Sequence, residues 1–303
     1  MGERSINPKF NVHENYKKVL IINPYRFISG GSLLLDTYTG AAAAYSLRLL
    51  RSAYTGALVK IRRSSDDATK DFYPDSNNVL SLNSEDGSGT SLSSWISSGD
   101  GYVNTWYDQS GNGKDISEST TSRQPQIVSS GAVLTENSKA SIDFGVSLNA
   151  RLYRDFGANI SQPFMAFVVH KWKNVSVAYL FDGYQLSNRQ LTLVEYANWK
   201  FGSSGPGNSF NIIDGGGSYT NQNLLALLWN GSSSKSYSNG SLERTETGMN
   251  SNDYRPLTLG NRNTNSAYAY SWGKIQEFIL YNSDESSNQS GIATNINNFY
   301  SIY

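Results

Sequence analysis

Apolar and polar residues alternate over short stretches along most of the chain, with the period of two that is typical of β-strands. Turns rich in Gly, Asn, Asp and Ser separate these stretches. We predict strands at 57–63, 102–107, 126–128, 140–144, 164–172, 178–181, 190–196, 224–229, 257–260 and 275–281. Many short strands without long intervening helices predict an all-β sandwich or barrel.

Three segments instead follow helical spacing. Residues 36–50 carry a capping residue followed by Ala and Leu, which predicts a short helix. Residues 92–96 predict one helical turn, and residues 292–303 predict a C-terminal helix with one apolar face that docks on the sandwich. A hairpin is predicted at Asn239-Gly240, because both residues tolerate the positive φ of a two-residue turn.

The N-terminal residues 1–34 differ from the rest and are predicted to form an arm. They are polar up to Tyr16, then β-rich from Val19 to Ile22, and a Pro at position 24 stops that stretch. Such an arm could pair with a neighbouring subunit, or it could be the first strand of the same sandwich. The predicted domains are therefore the arm, 1–34, and the β-sandwich, 35–303.

Composition narrows the range of functions. The 25 Lys and Arg residues balance the 25 Asp and Glu residues, so no general attraction to nucleic acid or anionic lipid is expected. The chain has no Cys, which rules out disulfides and thiolate metal sites. The apolar runs are too short for membrane insertion, and residues 1–18 contain no apolar core of a signal peptide.

Several motifs resemble the start of the catalytic domain of α-L-arabinofuranosidase B. The first is Ala44-Tyr45-Ser46-Leu47-Arg48-Leu49-Leu50-Arg51, and Ile61-Arg62-Arg63-Ser64-Ser65-Asp66-Asp67 follows it. The third is Trp106-Tyr107-Asp108-Gln109-Ser110-Gly111-Asn112-Gly113, so the resemblance covers about residues 36–145. The second half looks like a concanavalin or laminin-G-like sandwich. The resemblance implies a two-sheet, concanavalin-like jelly roll with short helices and an N-terminal arm.

The same combination, with the arm stretch 19–27, looks like bacteriophage structural proteins. That resemblance implies a non-catalytic virion protein, either a head or tail fibre subunit or a decoration subunit. We then expect it on the virion exterior after assembly in the host cytoplasm, as a homo-oligomer, with a trimer expected from fibre proteins generally. Its partners would be other virion proteins and a host surface glycan.

The alternative is an arabinofuranosidase-like glycoside hydrolase, which needs two carboxyl groups. The family's nucleophile corresponds to Gln190 or Leu191 here, and Glu195 fits only in a shifted register. The family's acid/base corresponds to residues 259–265, which contain no carboxylate, and its vicinal Cys pair is missing. We therefore expect no catalytic residues; if the chain is an enzyme, Glu195 and Asp182 are the pair to test first.

The loop 108–115 is a weak candidate for Ca²⁺, through Asp108, Asn112 and Asp115. It lacks the spacing of an EF-hand, and a tight turn in which Asp108 and Asn112 bond the local backbone is favoured. The two histidines are too few for a multi-His metal site. No cofactor is expected.

Aromatic residues in loop contexts, with nearby arginines, indicate a surface for a glycan or a protein partner, because aromatic rings stack on sugar faces. Packing between the sheets is the alternative for each. The candidates are Tyr184, Arg189, Trp199, Arg262, Tyr268, Tyr270 and Trp272.

Overall fold

The computed structural model describes residues 32–147, 149–173, 177–183, 189–195, 198–204, 210–215, 221–246, 251–262, 270–271 and 273–303. Nearly all of the predicted arm lies outside these ranges. The described helices are α1 (Leu34–Thr37), α2 (Leu92–Ile96) and α3 (Gln289–Tyr300). None of the helices in these ranges is long and apolar enough to cross a membrane.

The described strands are numbered in chain order. They are β1 (Ala41–Ser46), β2 (Val59–Arg63), β3 (Thr69–Phe72), β4 (Gly101–Trp106), β5 (Ile116–Ser117), β6 (Gln126–Ser129), β7 (Ala132–Val133), β8 (Thr135–Glu136), β9 (Lys139–Ala140), β10 (Ile142–Asp143), β11 (Leu152–Ile160), β12 (Phe164–Trp172), β13 (Val177–Asp182), β14 (Arg189–Glu195), β15 (Asn198–Ser204), β16 (Phe210–Gly215), β17 (Asn223–Trp229), β18 (Ser234–Ser238), β19 (Ser241–Glu246), β20 (Tyr254–Leu259), β21 (Tyr270–Ser271) and β22 (Gly273–Tyr281).

Strand pairing forms two antiparallel layers. The back sheet has the order β1-β22-β12-β17-β18-β19. The front sheet has the order β3-β2-β4-β5-β11-β20-β13-β14-β15-β16. The short strands β6 and β10 connect β4 of the front sheet to β22 of the back sheet. The chain is thus an all-β, jelly-roll type sandwich, as predicted.

The main core lies between the two sheets and is rich in aromatic side chains. Phe181 on the front sheet packs edge-on against Phe278 and Trp229 of the back sheet, with ring centroids 5.2 and 5.8 Å apart. Each such ring contributes a few kcal/mol through removal of its surface from water. On β2 the alternation that predicted the strand places Val59 and Ile61 in this core and the half-buried Lys60 on the other face of the front sheet.

A second core covers the other face of the back sheet. Ile292 and Ile296 of α3 are fully buried there against strand residues such as Phe167 and Ile279. The predicted C-terminal helix is therefore confirmed, but it ends at Tyr300, and Tyr303 beyond it is 54% exposed.

The predicted helix at 36–50 is wrong. Only Leu34–Thr37 is helical, and Ala41–Ser46 forms strand β1, whose six residues are all buried. This strand is covered on both faces, by α3 on one side and by the front sheet on the other. Small Ala side chains fit that space, so tertiary packing overrides their helix propensity.

Other local predictions are confirmed. Asn239 and Gly240 have φ of 49° and 81° and connect β18 to β19, as the hairpin motif requires. The predicted helical turn at 92–96 is α2. Its N-cap residue is Ser91, whose side chain accepts a hydrogen bond from the Ser94 amide. The long strand β11 was not predicted.

Candidate functional site

The front sheet carries a continuous line of polar residues on its outer face, here called the polar row. Seven consecutive strands contribute one residue each, and each residue is directly opposite the next in the strand register. In order across the sheet, the polar row is Asp71, Lys60, Thr105, Ser117, Tyr153, Thr258 and Asp182.

The polar row faces away from the core because its neighbours along each strand point inward. Ile116, Leu152 and Phe181, each one residue away from a member of the row, are buried in the main core. With strands about 4.8 Å apart, six steps give the row a length of roughly 29 Å. The outer face therefore presents a long line of hydrogen-bonding groups.

Exposure changes along the polar row. Lys60 and Asp71 form an ion pair at 3.7 Å with about a third of each side chain exposed. Ser117 in the middle is exposed and Tyr153 is half-buried. At the far end Thr258 and Asp182 are fully buried. The open part of the row thus runs from β3 to β11.

Tyr153 is the aromatic member of the polar row. Partial burial and the nearby carboxylate of Asp155 raise the pKa of its phenol, so the hydroxyl stays protonated near neutral pH. The Tyr153 hydroxyl makes no hydrogen bond to any residue that the structure describes. A half-buried ring with a free hydroxyl offers both an apolar face and a hydrogen-bonding group to a ligand.

Asp182 lies beside the positions that correspond to the nucleophile of the resembling family. It is directly opposite Leu191 on β14 and opposite Thr258 on β20. Its charge adds to burial in raising the pKa of the buried Tyr254. Because its exposed fraction is 0%, Asp182 is shielded from solvent in this state.

The register separates the two carboxylates proposed as a hydrolase pair. Asp182 is opposite Leu191, whereas Glu195 is opposite Val177 at the other end of the same ladder. Four residues of strand at 3.3 Å each put the two Cα atoms roughly 13 Å apart along the strands. A retaining glycosidase needs its carboxyl groups about 5 to 5.5 Å apart. The structure thus does not bring this pair together in a retaining arrangement.

The turn after β20 corresponds to the family's acid/base segment. Its backbone requires a glycine at position 260. Gly260 has φ of +77°, and a Cβ there would lie 2.0 Å from the buried ring of Phe144. Its amide donates to the carbonyl of Leu180 on β13, at 2.8 Å. The turn therefore packs tightly against the sandwich, while its sequence supplies no acidic side chain.

The candidate ligand residues fall in different places. Arg262 lies over the ring of Tyr179 at 5.9 Å, next to the turn after β20. Trp199 and Tyr270 belong to the same cross-strand register row, through Val194 and Ala178. Arg189 is opposite Ser204, which lies five residues after Trp199 at the other end of β15. Tyr184, Tyr268 and Trp272 lie outside the described residues, so the whole set remains a prediction.

The loop 108–115 is held together by protein hydrogen bonds. Asp108 accepts from the amides of Ala44, Ser110 and Lys114 and from the Ser110 hydroxyl, at 2.7 to 3.0 Å. Asp115 accepts from the amide of Asp108. Asn112 donates to backbone carbonyls of β1. Asp108 therefore bonds local amides, as predicted for a tight turn, whereas the Asn112 side chain bonds β1 rather than the local backbone.

Gln109, next in this loop, stabilises the segment after β1. Its Oε1 accepts from the amide of Leu50, and its Nε2 donates to the carbonyls of Ser46 and Arg48. The motif that carries the family resemblance therefore has a structural role here. Among the described residues, no cluster of three or more His, Asp or Glu side chains is arranged to hold a metal ion.

Most of the polar row, including Tyr153 and Lys60, was not predicted from the sequence. Its members lie on seven different strands, and only the pairing of those strands places them in line. The segment 152–160 has no regular alternation of apolar and polar residues, so local pattern gave no clear signal for β11.

Comparison with protein families identifies a match to the catalytic domain of α-L-arabinofuranosidase B over residues 34–179. The resemblance stated from the motifs is therefore confirmed, and it extends through β12 into β13. No curated protein matches the chain.

Solved structures similar to this chain include a mutant GH54 α-L-arabinofuranosidase soaked with 4-nitrophenyl α-L-arabinofuranoside, with a TM-score of 0.62 and 14% identity. Another is an arabinofuranosidase complexed with arabinofuranosyl-α-1,2-xylobiose, with a TM-score of 0.59 and 16% identity. Both matches cover 87% of this chain and 64% of the other. The chain thus has an arabinofuranosidase-like sandwich fold and spans about two thirds of the length of these enzymes.

Proposed function

We propose that this protein binds a polysaccharide along the outer face of its front sheet and does not cleave it. The polar row carries the proposal. Its open part, from Asp71 on β3 to Tyr153 on β11, spans four strand steps of about 4.8 Å each, or roughly 19 Å, which suits a chain of several sugars better than one small molecule. Tyr153 would stack on a sugar face, and its neighbours would bond the hydroxyl groups.

The acidic groups of the front sheet support binding over cleavage. Asp182 is fully buried, and Glu195 is four residues further along the ladder. The segment 259–265 contributes no carboxylate that could act as a general acid.

A glycan array, followed by calorimetry with the best neutral oligosaccharide, tests this proposal. We expect saturable binding and no release of reducing sugar from the same oligosaccharide. Tyr153→Ala should weaken binding about ten-fold, as expected for loss of one stacking ring, while Tyr303→Ala on the opposite layer should not. Absence of binding to every glycan would contradict the proposal.

We further propose, from the likeness to phage structural proteins, that the sandwich is displayed on a virion exterior and binds a host glycan there. The arm 1–34 would attach it to other virion proteins or join copies of the chain, with a trimer as the expected oligomer. Mass spectrometry of purified particles should then detect the protein. Particles that lack it would rule this setting out without affecting glycan binding.

A hydrolase acting on an arabinose-containing glycan is the second candidate, and the family match over residues 34–179 favours it. Release of nitrophenol from 4-nitrophenyl α-L-arabinofuranoside tests it. If the activity exists, Asp182→Asn or Glu195→Gln should abolish it. Turnover with these properties would replace the binding proposal.

A further inference from the structure

A cleft of about 450 Å³ lies beyond β3, at the edge of the front sheet. Tyr73 lines it, two residues after Asp71, the first member of the polar row. Pro74, Asn83, Glu85 and Gly87 form other parts of its wall. The cleft therefore continues the outer face at the open end of the polar row, far from the buried Asp182.

Two carboxylates of the cleft are used to stabilise its walls. Asp75 accepts from the amides of Asn77 and Val79 and from the Ser81 hydroxyl. Asp86 accepts from Ser88, Thr90 and Lys70. These bonds hold the pKa of Asp86 well below its usual range, so it remains an acceptor for the wall. Both loops are therefore fixed before any ligand arrives.

The remaining polar groups of the cleft are available. The Tyr73 hydroxyl, the side-chain carboxamide of Asn83 and the Glu85 carboxylate make no hydrogen bond or ion pair within the described structure. Tyr73 and Glu85 are held next to each other, because the Tyr73 amide donates to the Glu85 carbonyl at 3.0 Å. The cleft thus combines an aromatic ring with unused donors and acceptors on a rigid frame.

Gly87 keeps the ring of Tyr73 accessible. A Cβ at this position would lie 3.9 Å from Cε2 and Oη of that ring. A larger side chain would therefore extend over the ring and fill the cleft. The backbone at Gly87 has no positive φ, so such a substitution would cause no backbone strain.

We infer that this cleft is a binding subsite for a neutral saccharide, at one end of the surface that binds the polysaccharide. The ring would stack on the C–H face of a sugar, and Glu85 and Asn83 would accept and donate hydrogen bonds to its hydroxyl groups. The carboxylates disfavour a uronic acid through like-charge repulsion. The inference rests on the proposed function. It adds where on the surface one sugar binds and that this sugar is uncharged.

The test measures affinity by calorimetry for neutral oligosaccharides, including arabinofuranosyl-α-1,2-xylobiose, and for matched oligosaccharides that carry a uronic acid. Wild type is compared with Tyr73→Ala, Glu85→Ala and Gly87→Leu. We expect at least ten-fold weaker binding for Tyr73→Ala and Gly87→Leu, several-fold weaker binding for Glu85→Ala, and a preference for the neutral compounds. Tyr303→Ala is the matched control, and unchanged melting temperatures would show that the variants are folded.

The possible failures differ from one another. If the cleft variants bind as wild type while Tyr153→Ala binds more weakly, the subsite is wrong and the proposed function stands. If the uronic acid compounds bind more tightly, the proposed ligand charge is wrong. If wild type binds none of the compounds or array glycans, both proposals are wrong.

Discussion

Charged and polar side chains form two groups on opposite layers of the sandwich, and the two are built differently. The sealed cluster, between the back sheet and α3, is centred on Arg48 and Glu277, which are 9% and 1% exposed. The polar row on the front sheet contains the Lys60–Asp71 pair, with 34% and 39% of the side chains exposed. One group is closed off from water and the other is open.

Hydrogen bonding differs in the same way. Glu277 accepts from Nε and Nη2 of Arg48, from the Ser46 hydroxyl and from the Tyr300 hydroxyl. Burial, and then the charge of Glu277, raise the pKa of Tyr300 well above its usual value. In contrast, Ser117 and Tyr153 of the polar row leave hydroxyl groups unused among the described residues. Complete internal bonding indicates a role in stability, whereas unused groups on an open face indicate a role in binding.

The largest expected effect is in the sealed cluster. Glu277→Gln should lower the free energy of unfolding by about 3–5 kcal/mol, because it leaves the Arg48 charge buried without its partner. Urea denaturation measures this. Asp66→Asn, in an exposed ion pair with Arg63, is the control and should leave the midpoint nearly unchanged. Equal effects of the two substitutions would contradict the distinction between sealed and open groups.

The Asp108 loop should behave like the sealed cluster. Asp108→Ala leaves three backbone amides without an acceptor and should cost about 2–4 kcal/mol. The same denaturation assay measures it. Asp108→Asn should recover part of the loss, because its side-chain oxygen can still accept. A loss that appeared only in the presence of Ca²⁺ would instead indicate a metal site.

A buried histidine on β12 gives the stability of the sandwich a pH dependence. Burial lowers the pKa of His170 to about 3, from an ordinary value near 6.5. Below pH 6.5 the unfolded chain therefore binds a proton that the folded chain does not, so stability falls as pH is lowered towards 3. Between pH 6.5 and 4.5 the loss should be about 2–3 kcal/mol. His170→Gln should flatten this part of the pH profile; an unchanged profile would show that other groups cause it.

The smallest expected effect on stability is on the open face. Tyr153→Ala should change the unfolding midpoint little, since the ring is half-buried, yet weaken glycan binding about ten-fold. Tyr153→Phe keeps the ring and should retain most of the affinity. If Tyr153→Ala unfolds the protein as readily as Glu277→Gln, the open face is structural, and the comparison between the two groups fails.

Local patterns in the chain were enough for much of the fold. The strand at Phe164–Trp172, the Asn239-Gly240 turn and the C-terminal helix depend on near neighbours, and they were predicted correctly. The segment 36–50 was predicted incorrectly because its Ala residues favour a helix in isolation. Burial between α3 and the front sheet makes Ala41–Ser46 a strand, and Gln109 stabilises the residues that follow it.

The candidate site could be predicted only in part. Asp182 was recognised as a notable carboxylate, but its burial and its distance from Glu195 depend on the pairing of β13 with β14 and β20. The cleft at Tyr73 was not predicted, because the polar residues of the segment 64–101 resemble those of ordinary turns.

The sequence by itself determined the class of the fold, the resemblance to an arabinofuranosidase scaffold and the lack of a carboxylate at 259–265, because all three depend on residue identity and short spacing. Only the tertiary structure decided which polar residues meet. The members of the polar row come from strands as far apart as β2 and β20, and hydrogen-bonded register between distant segments is what aligns them.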